Sequence, residues 1–150
     1  MQDIWKPHAT VAAVIEQDGL FLMVEELIKG KPVYNQPAGH LDPDESLIEA
    51  AVRETKEETA WAFNPEYITG IYRWPQPGTN RTFLRIAFTG SCSDHIPEQS
   101  LDDGIIRAVW LSREELAAKP EKLRSPMVLR CIDDYLQGSR YPLDLLVDVA

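Results

Sequence analysis

The sequence predicts an α/β chain of the α+β kind, with a mixed β-sheet and helices on its faces. Three observations predict it. Strand-length apolar runs alternate irregularly with three helical segments. A Ser suited to capping opens each helical segment. Gly, Pro and Asp punctuate the gaps between them. The 150 residues show no internal repeat, low-complexity tract or linker, so a single domain over 1–150 is expected. A domain of that size buries roughly 70% of the surface its unfolded chain exposes and needs no disulfide staple.

His8 to Gln17 reads as a strand. Asp18-Gly19 follows as a hairpin turn, because a type I′ turn needs positive φ at both central positions. Leu20 to Glu26 is the returning strand. Leu27 to Asp42 reads as a Gly- and Pro-bearing loop with a short strand around Val33–Gln36. Ser46 and Glu49 have capping-box spacing, which places a helix over Leu47–Thr59. Tyr67–Trp74 and Arg81–Thr89 read as strands joined by a Pro/Gly turn. Ser91–Asp103 reads as a polar loop and Ile105–Leu111 as a strand. Ser112 and Glu115 form a second capping box before a short helix. Ser125-Pro126 reads as an N-cap with Pro at the first helical position, and Gly138 as the C′ residue of that last helix.

The formal net charge of −9 argues against nucleic-acid and anionic-membrane partners, which favour a basic face. No run approaches the ~18 apolar residues of a membrane span. The first ten residues lack a signal-peptide pattern, so the cytoplasm is the expected compartment. Cys92 and Cys131 make no disulfide framework or zinc set. Cys131 stands among Val128, Leu129 and Ile132 and reads as core.

The charge is uneven. Asp42 to Glu58 holds seven acids against two bases and so carries −5 of the −9. Helix geometry sharpens this. Leu47, Ala50 and Ala51 all project within about 60° of Glu54, and so do Glu57 and Glu58. One helix face is therefore apolar for two turns and anionic for the next two. Like charges three and four apart cost roughly 0.2–0.5 kcal/mol each even when exposed, and burial adds a desolvation cost. Protonation or a bound cation would compensate, and a fully solvated Glu-rich face is the third reading. Convergent carboxylates suit a hard ion, Mg²⁺ or Mn²⁺. Arg53 lies beside this face, with Glu49 and Glu57 four residues to either side. A guanidinium there would hold a metal-binding carboxylate in place.

Gly39 is followed by five residues, Glu45, seven residues, and then Arg53-Glu54-Thr55-Lys56-Glu57-Glu58. This stretch resembles the signature of the Nudix hydrolase family. Two positions depart from it. Thr55 stands where an aliphatic residue is usual, and Ala60 stands where Gly is usual. Ala60 implies that the helix does not end in a tight positive-φ turn there. Tyr34–Leu41, Leu123–Pro126 and Gly138–Leu143 resemble the phosphatase NudJ subgroup, so the likeness spans most of the chain.

The resemblance implies an α/β/α sandwich around a mixed sheet. It implies Mg²⁺-dependent cleavage of phosphoanhydride bonds in nucleoside tri- and diphosphates, or in small pyrophosphates such as that of a thiamine-precursor pyrimidine. By the same likeness Glu54, Glu57 and Glu58 hold the metal, with the Gly39 carbonyl as a further ligand and Glu45 in support. Glu54, Glu57 and Arg53 form the catalytic group. The general base is either one of these Glu residues or a loop acid: Glu98, Asp102 or Asp103. Arg81, Arg85, Arg124 and His40 are the candidates for phosphate. Tyr34, Trp74 and Trp5 are candidates for ring stacking, with core packing as the plain alternative for each aromatic. The expected partner is a small nucleotide or pyrophosphate, and the expected assembly a monomer. Two rivals remain open: a pyrophosphatase acting on ADP-ribose or another nucleoside-diphosphate derivative, and a catalytically silent nucleotide-binding module of the same shape.

Overall fold

The computed structural model describes residues 3 to 149; residues 1, 2 and 150 of the expected 1–150 domain lie outside the described residues. Nine strands and three α-helices follow in the order β1 (His8–Val14), β2 (Glu16–Gln17), β3 (Leu20–Ile28), β4 (Lys31–Asn35), β5 (Ala38–His40), α1 (Leu47–Thr59), β6 (Ala62–Pro75), β7 (Thr82–Ser93), β8 (Ile105–Ser112), α2 (Arg113–Ala117), α3 (Met127–Leu136) and β9 (Tyr141–Pro142). One sheet runs β5-β1-β7-β6-β9, with β1 and β7 parallel and its other pairs antiparallel. In the second sheet β3 pairs with β2, β4 and β8.

The parallel pair is covered on both faces, which is why Val11–Ile15 is an unbroken apolar run rather than an alternation. Val11 and Ala13 pack with Ala50 and Ala51 of α1, together with Ile86 and Phe88 of β7. Ala12 and Val14 pack on the other side with Val128, Cys131 and Ile132 of α3. The result is the expected α/β/α arrangement, with Cys131 in the core as expected.

Two β-hairpins use the same turn chemistry. Asp18 and Gly19 both have positive φ (52° and 81°), as the dipeptide predicts. Lys29 and Gly30 do likewise (51° and 78°) and join β3 to β4. The stretch read as a loop from Leu27 is therefore mostly strand. Lys-Gly is not a turn signature, and Pro32 argues for a break; on β4 it pairs opposite Leu27 at the sheet edge, where Pro is tolerated. The strand expected over Tyr67–Trp74 is also longer, because Pro65 and Gly70 sit at register shifts rather than ending β6.

Helix α1 has the predicted bounds. Ser46 Oγ accepts from Glu49 N–H, and the Glu49 carboxylate accepts from Ser46 N–H. Such a cap stabilises a helix by roughly 1 kcal/mol. The expectation for Ala60 is corrected: it caps α1 in the left-handed region, at φ 64° and ψ 14°. The conformation costs a non-glycine residue roughly 1–2 kcal/mol. Tertiary contacts hold it, since Ala60 is buried and its carbonyl accepts from Ile96 N–H at 3.0 Å. At α3, Ser125 Oγ accepts from Met127 N–H, and Gly138 (φ 93°) closes the far end. The Ser139 N–H bonds Asp134 and the Gly138 N–H bonds Tyr135, a Schellman pattern.

Candidate active site

The last two turns of α1 carry Glu54 and Glu58 into a cleft of about 360 Å³ between the two sheets. Its lining includes Glu54 and Glu58 of α1, Gly39 and His40 of β5, Glu26 and Asn35 of the second sheet, Arg85 of β7, and Arg124 before α3. A larger groove of about 750 Å³ lies between β6 and α3, away from these carboxylates.

Burial grades across the acidic face as the helix angles require. Glu58 is 8% exposed, the Glu54 side chain 12% and the Glu57 side chain 39%. Gly39 packs so closely on Glu54 that a Cβ there would overlap its carboxylate. Glu54, Glu57 and Asp102 each bring one carboxylate oxygen within 4.8 Å of the others. An all-oxygen set of this kind fits Mg²⁺ or Mn²⁺, which take hard oxygen ligands. Burial outweighs Arg53 in pushing the Glu54 carboxyl up.

Glu58 turns elsewhere. It accepts from the Ala38 N–H at 2.9 Å and ties α1 to β5. Burial pushes its carboxyl up to about 9, with Glu54, Glu26 and Asp102 adding to the rise and the Ala38 N–H opposing it. It stands outside the group of three oxygens, which sets it apart from Glu54 and Glu57.

Asp102 arrives because the 94–104 loop docks on the end of α1. The Gln99 side chain bonds the Lys56 carbonyl at 2.6 Å, and the Asp102 N–H bonds the Glu57 carbonyl at 3.0 Å. The loop thus satisfies the Glu57 carbonyl that the helix end leaves open, and adds a second donor to the Lys56 carbonyl, which already accepts from the Ala60 N–H. Of the three loop acids expected as bases, Asp102 alone reaches the cluster. Glu98 and Asp103 are exposed and stand outside both the cluster and the cleft lining.

Arg53 is the hub of the acidic end. It forks onto Glu45 (2.9 and 2.7 Å), reaches Glu54 at 2.7 Å and Glu57 at 3.3 Å, and bonds the His40 carbonyl at 3.0 Å. The expected pairing with Glu49 does not form, because Glu49 is used by the capping box. Glu45 lies well below the usual carboxylate range, chiefly through Arg53.

Among the substrate candidates, Arg85, Arg124 and His40 line the cleft. The His40 Nε2 lies 3.2 Å from His8 Nδ1, and burial, then His8 and Arg81, push its pKa down. Arg81 is exposed and lines a neighbouring depression with Trp5 and Arg124. Trp74 lines the cleft and stacks on Phe83, whose ring also stacks on His8. Tyr34 is corrected: it is 5% exposed and packs in the core on the α3 side, because its position on β4 points it away from the cleft. Sequence reasoning missed Glu26, Asn35 and Gln36. Two adjacent acids, Glu25 and Glu26, on an otherwise apolar β3, and adjacent amides at the end of β4, were the available signals.

A family model described as the NUDIX domain matches residues 6–130. The chain belongs to the Nudix family. The protein is an enzyme, a Nudix hydrolase of the phosphatase and pyrophosphatase kind. It is 43% identical over 145 residues to the phosphatase NudJ of Escherichia coli (strain K12), covering 97% of this chain and 94% of that one. A NUDIX hydrolase from Nitrosomonas europaea superposes with a TM-score of 0.93 at 50% identity, covering 95% of this chain and 97% of its own. The MutT protein of Methanosarcina mazei Go1 gives 0.70 at 25% identity, over 92% and 100%. Among the described residues no helix is long and apolar enough to cross a membrane.

Proposed function

We propose that this Nudix hydrolase removes phosphate from nucleoside tri- and diphosphates or small pyrophosphates, with Mg²⁺ as its working ion and the cytoplasm as its compartment. The convergence of Glu54, Glu57 and Asp102, with Glu54 lining a cleft that also holds Arg85 and Arg124, carries the reading. Bound there, the ion supplies charge neutralisation and an acidified water. Glu54 and Glu57 hold it, with the Gly39 carbonyl alongside. Arg53 acts through those carboxylates, fixing their orientation. Asp102 is the loop acid in position to take a proton from water, and Arg124 and His40 bind phosphate. Glu58 anchors β5 through the Ala38 N–H and would add a carboxylate beside the ion when ionised. Phosphate is chosen over other products because of the NudJ relatives, whose name is phosphatase.

The test is product analysis on a panel of nucleotides and small pyrophosphates with Mg²⁺. Inorganic phosphate released from a triphosphate is the expected result. Pyrophosphate release, or cleavage confined to ADP-ribose, would move the protein to the rival pyrophosphatase class. Binding without any turnover would leave the silent-module reading.

A further inference from the structure

Arg85 lies mid-strand on β7, paired with Thr10 of β1 and Tyr72 of β6, and is 3% exposed. A guanidinium carries five N–H donors. Nη1 gives one to Gln36 Oε1 at 2.8 Å and one to Cys131 Sγ at 3.8 Å, and Nη2 gives one to Asn35 Oδ1 at 3.0 Å. The Nε–H has no partner. With one remaining Nη2 proton it leaves two donors free. Gln36 is itself fixed, donating to the Val128 carbonyl at 2.8 Å. Every acceptor around Arg85 is neutral. Among the described residues no carboxylate lies within ion-pair distance of it. Glu26 feels its charge, but faces Arg124 at 3.6 Å and has its carboxyl pushed up by burial. A buried cation without an anion is costly. Arg124 and the first turn of α3, through Ser125 and Met127, line the same cleft.

Resting on the hydrolase reading above, we propose that Arg85 is the cleft's anion receptor and takes one phosphoryl group of the substrate. The substrate then spans from Arg85 to the Glu54–Glu57–Asp102 group, one phosphoryl group at Arg85 and the next toward the acids. Buttressing by amides is what keeps the charge available: a carboxylate at position 35 would neutralise it. A phosphoryl oxygen pair suits the two free donors, as forked guanidinium contacts do.

Two variants test this. Arg85→Gln removes the charge. Asn35→Asp keeps the guanidinium folded against a partner but supplies it with an internal anion. Both are expected to raise KM for the preferred pyrophosphate substrate at least about tenfold while kcat stays within about threefold, the pattern of lost uniform binding. In metal-free wild-type protein, inorganic pyrophosphate is expected to shift the Arg85 Nε–H resonance, and uridine is not. Unchanged KM in both variants overturns the proposal, as does a kcat loss without a KM change. A shift caused by uridine alone also overturns it, assigning Arg85 to the base. The two readings fail separately. Wild-type protein that shows the pyrophosphate shift yet cleaves no anhydride refutes the hydrolase reading only. Normal turnover with Arg85→Gln kinetically silent refutes the Arg85 reading only.

Discussion

Arg85 lines the cleft, Arg53 braces the acids at its other end, and their surroundings differ in kind. Arg53 is partly exposed and surrounded by acids: Glu45, Glu54, Glu57 and, at 3.4 Å, Asp42. Arg85 is buried and held by Asn35 and Gln36, neutral amides. The acidic end has more negative charge than its one arginine can answer, so it awaits a cation. The other end has a positive charge that nothing answers, so it awaits an anion. A pyrophosphate group carrying a divalent ion would satisfy both at once. Residue type alone does not separate the two arginines; the charge state of their neighbours does.

The comparison can be broken at its acidic end first. Glu57→Gln is expected to lower turnover at least a hundredfold, about 2.7 kcal/mol of barrier, with an unchanged circular dichroism spectrum. EDTA is expected to abolish activity in the parent protein and Mg²⁺ to restore it. Near-parental turnover in the Glu57→Gln variant would remove Glu57 from the site.

A smaller effect sharpens the electrostatics. Glu58 holds its proton in the folded, metal-free protein up to about 9, whereas an unfolded Glu releases it near its ordinary value of 4.5. The folded state therefore binds more protons across that window. Stability is full below the lower value and falls as pH rises through the window. Thermal melts in EDTA are expected to drop steadily from about pH 5 to pH 9, and Glu58→Gln to flatten the slope. A parent profile that rises with pH would contradict the buried, protonated Glu58.

The smallest effect lies at the end of the acidic helix. Ala60→Gly relieves a left-handed alanine, worth roughly 1–2 kcal/mol, and loses a buried methyl worth about 0.8 kcal/mol. A net gain under about 1 kcal/mol is expected, a rise in Tm of a few degrees at most. A clear drop in Tm would show that the methyl contact, rather than docking of the 94–104 loop, holds that turn.

Much of this site is local and was legible for that reason. The capping box of α1 lies within four residues, Ser46 to Glu49, and the helix angle alone puts Glu54, Glu57 and Glu58 on the face that Leu47, Ala50 and Ala51 begin. Asp18-Gly19 declares its turn through the φ values it tolerates, and Ser112 and Ser125 announce their helices. Tertiary structure decided the rest. Asp102 was chosen over Glu98 and Asp103 because a helix end needs partners for its carbonyls and this loop supplies them. Ala60 turns left-handed under the same docking. Tyr34 went to the core and Asn35 to the cleft because alternate residues of a strand face opposite ways. Arg85 lies forty-nine residues or more from the amides that hold it. Whether a buried charge is answered depends on groups that meet only when the sheets close, and no spacing along the chain records that.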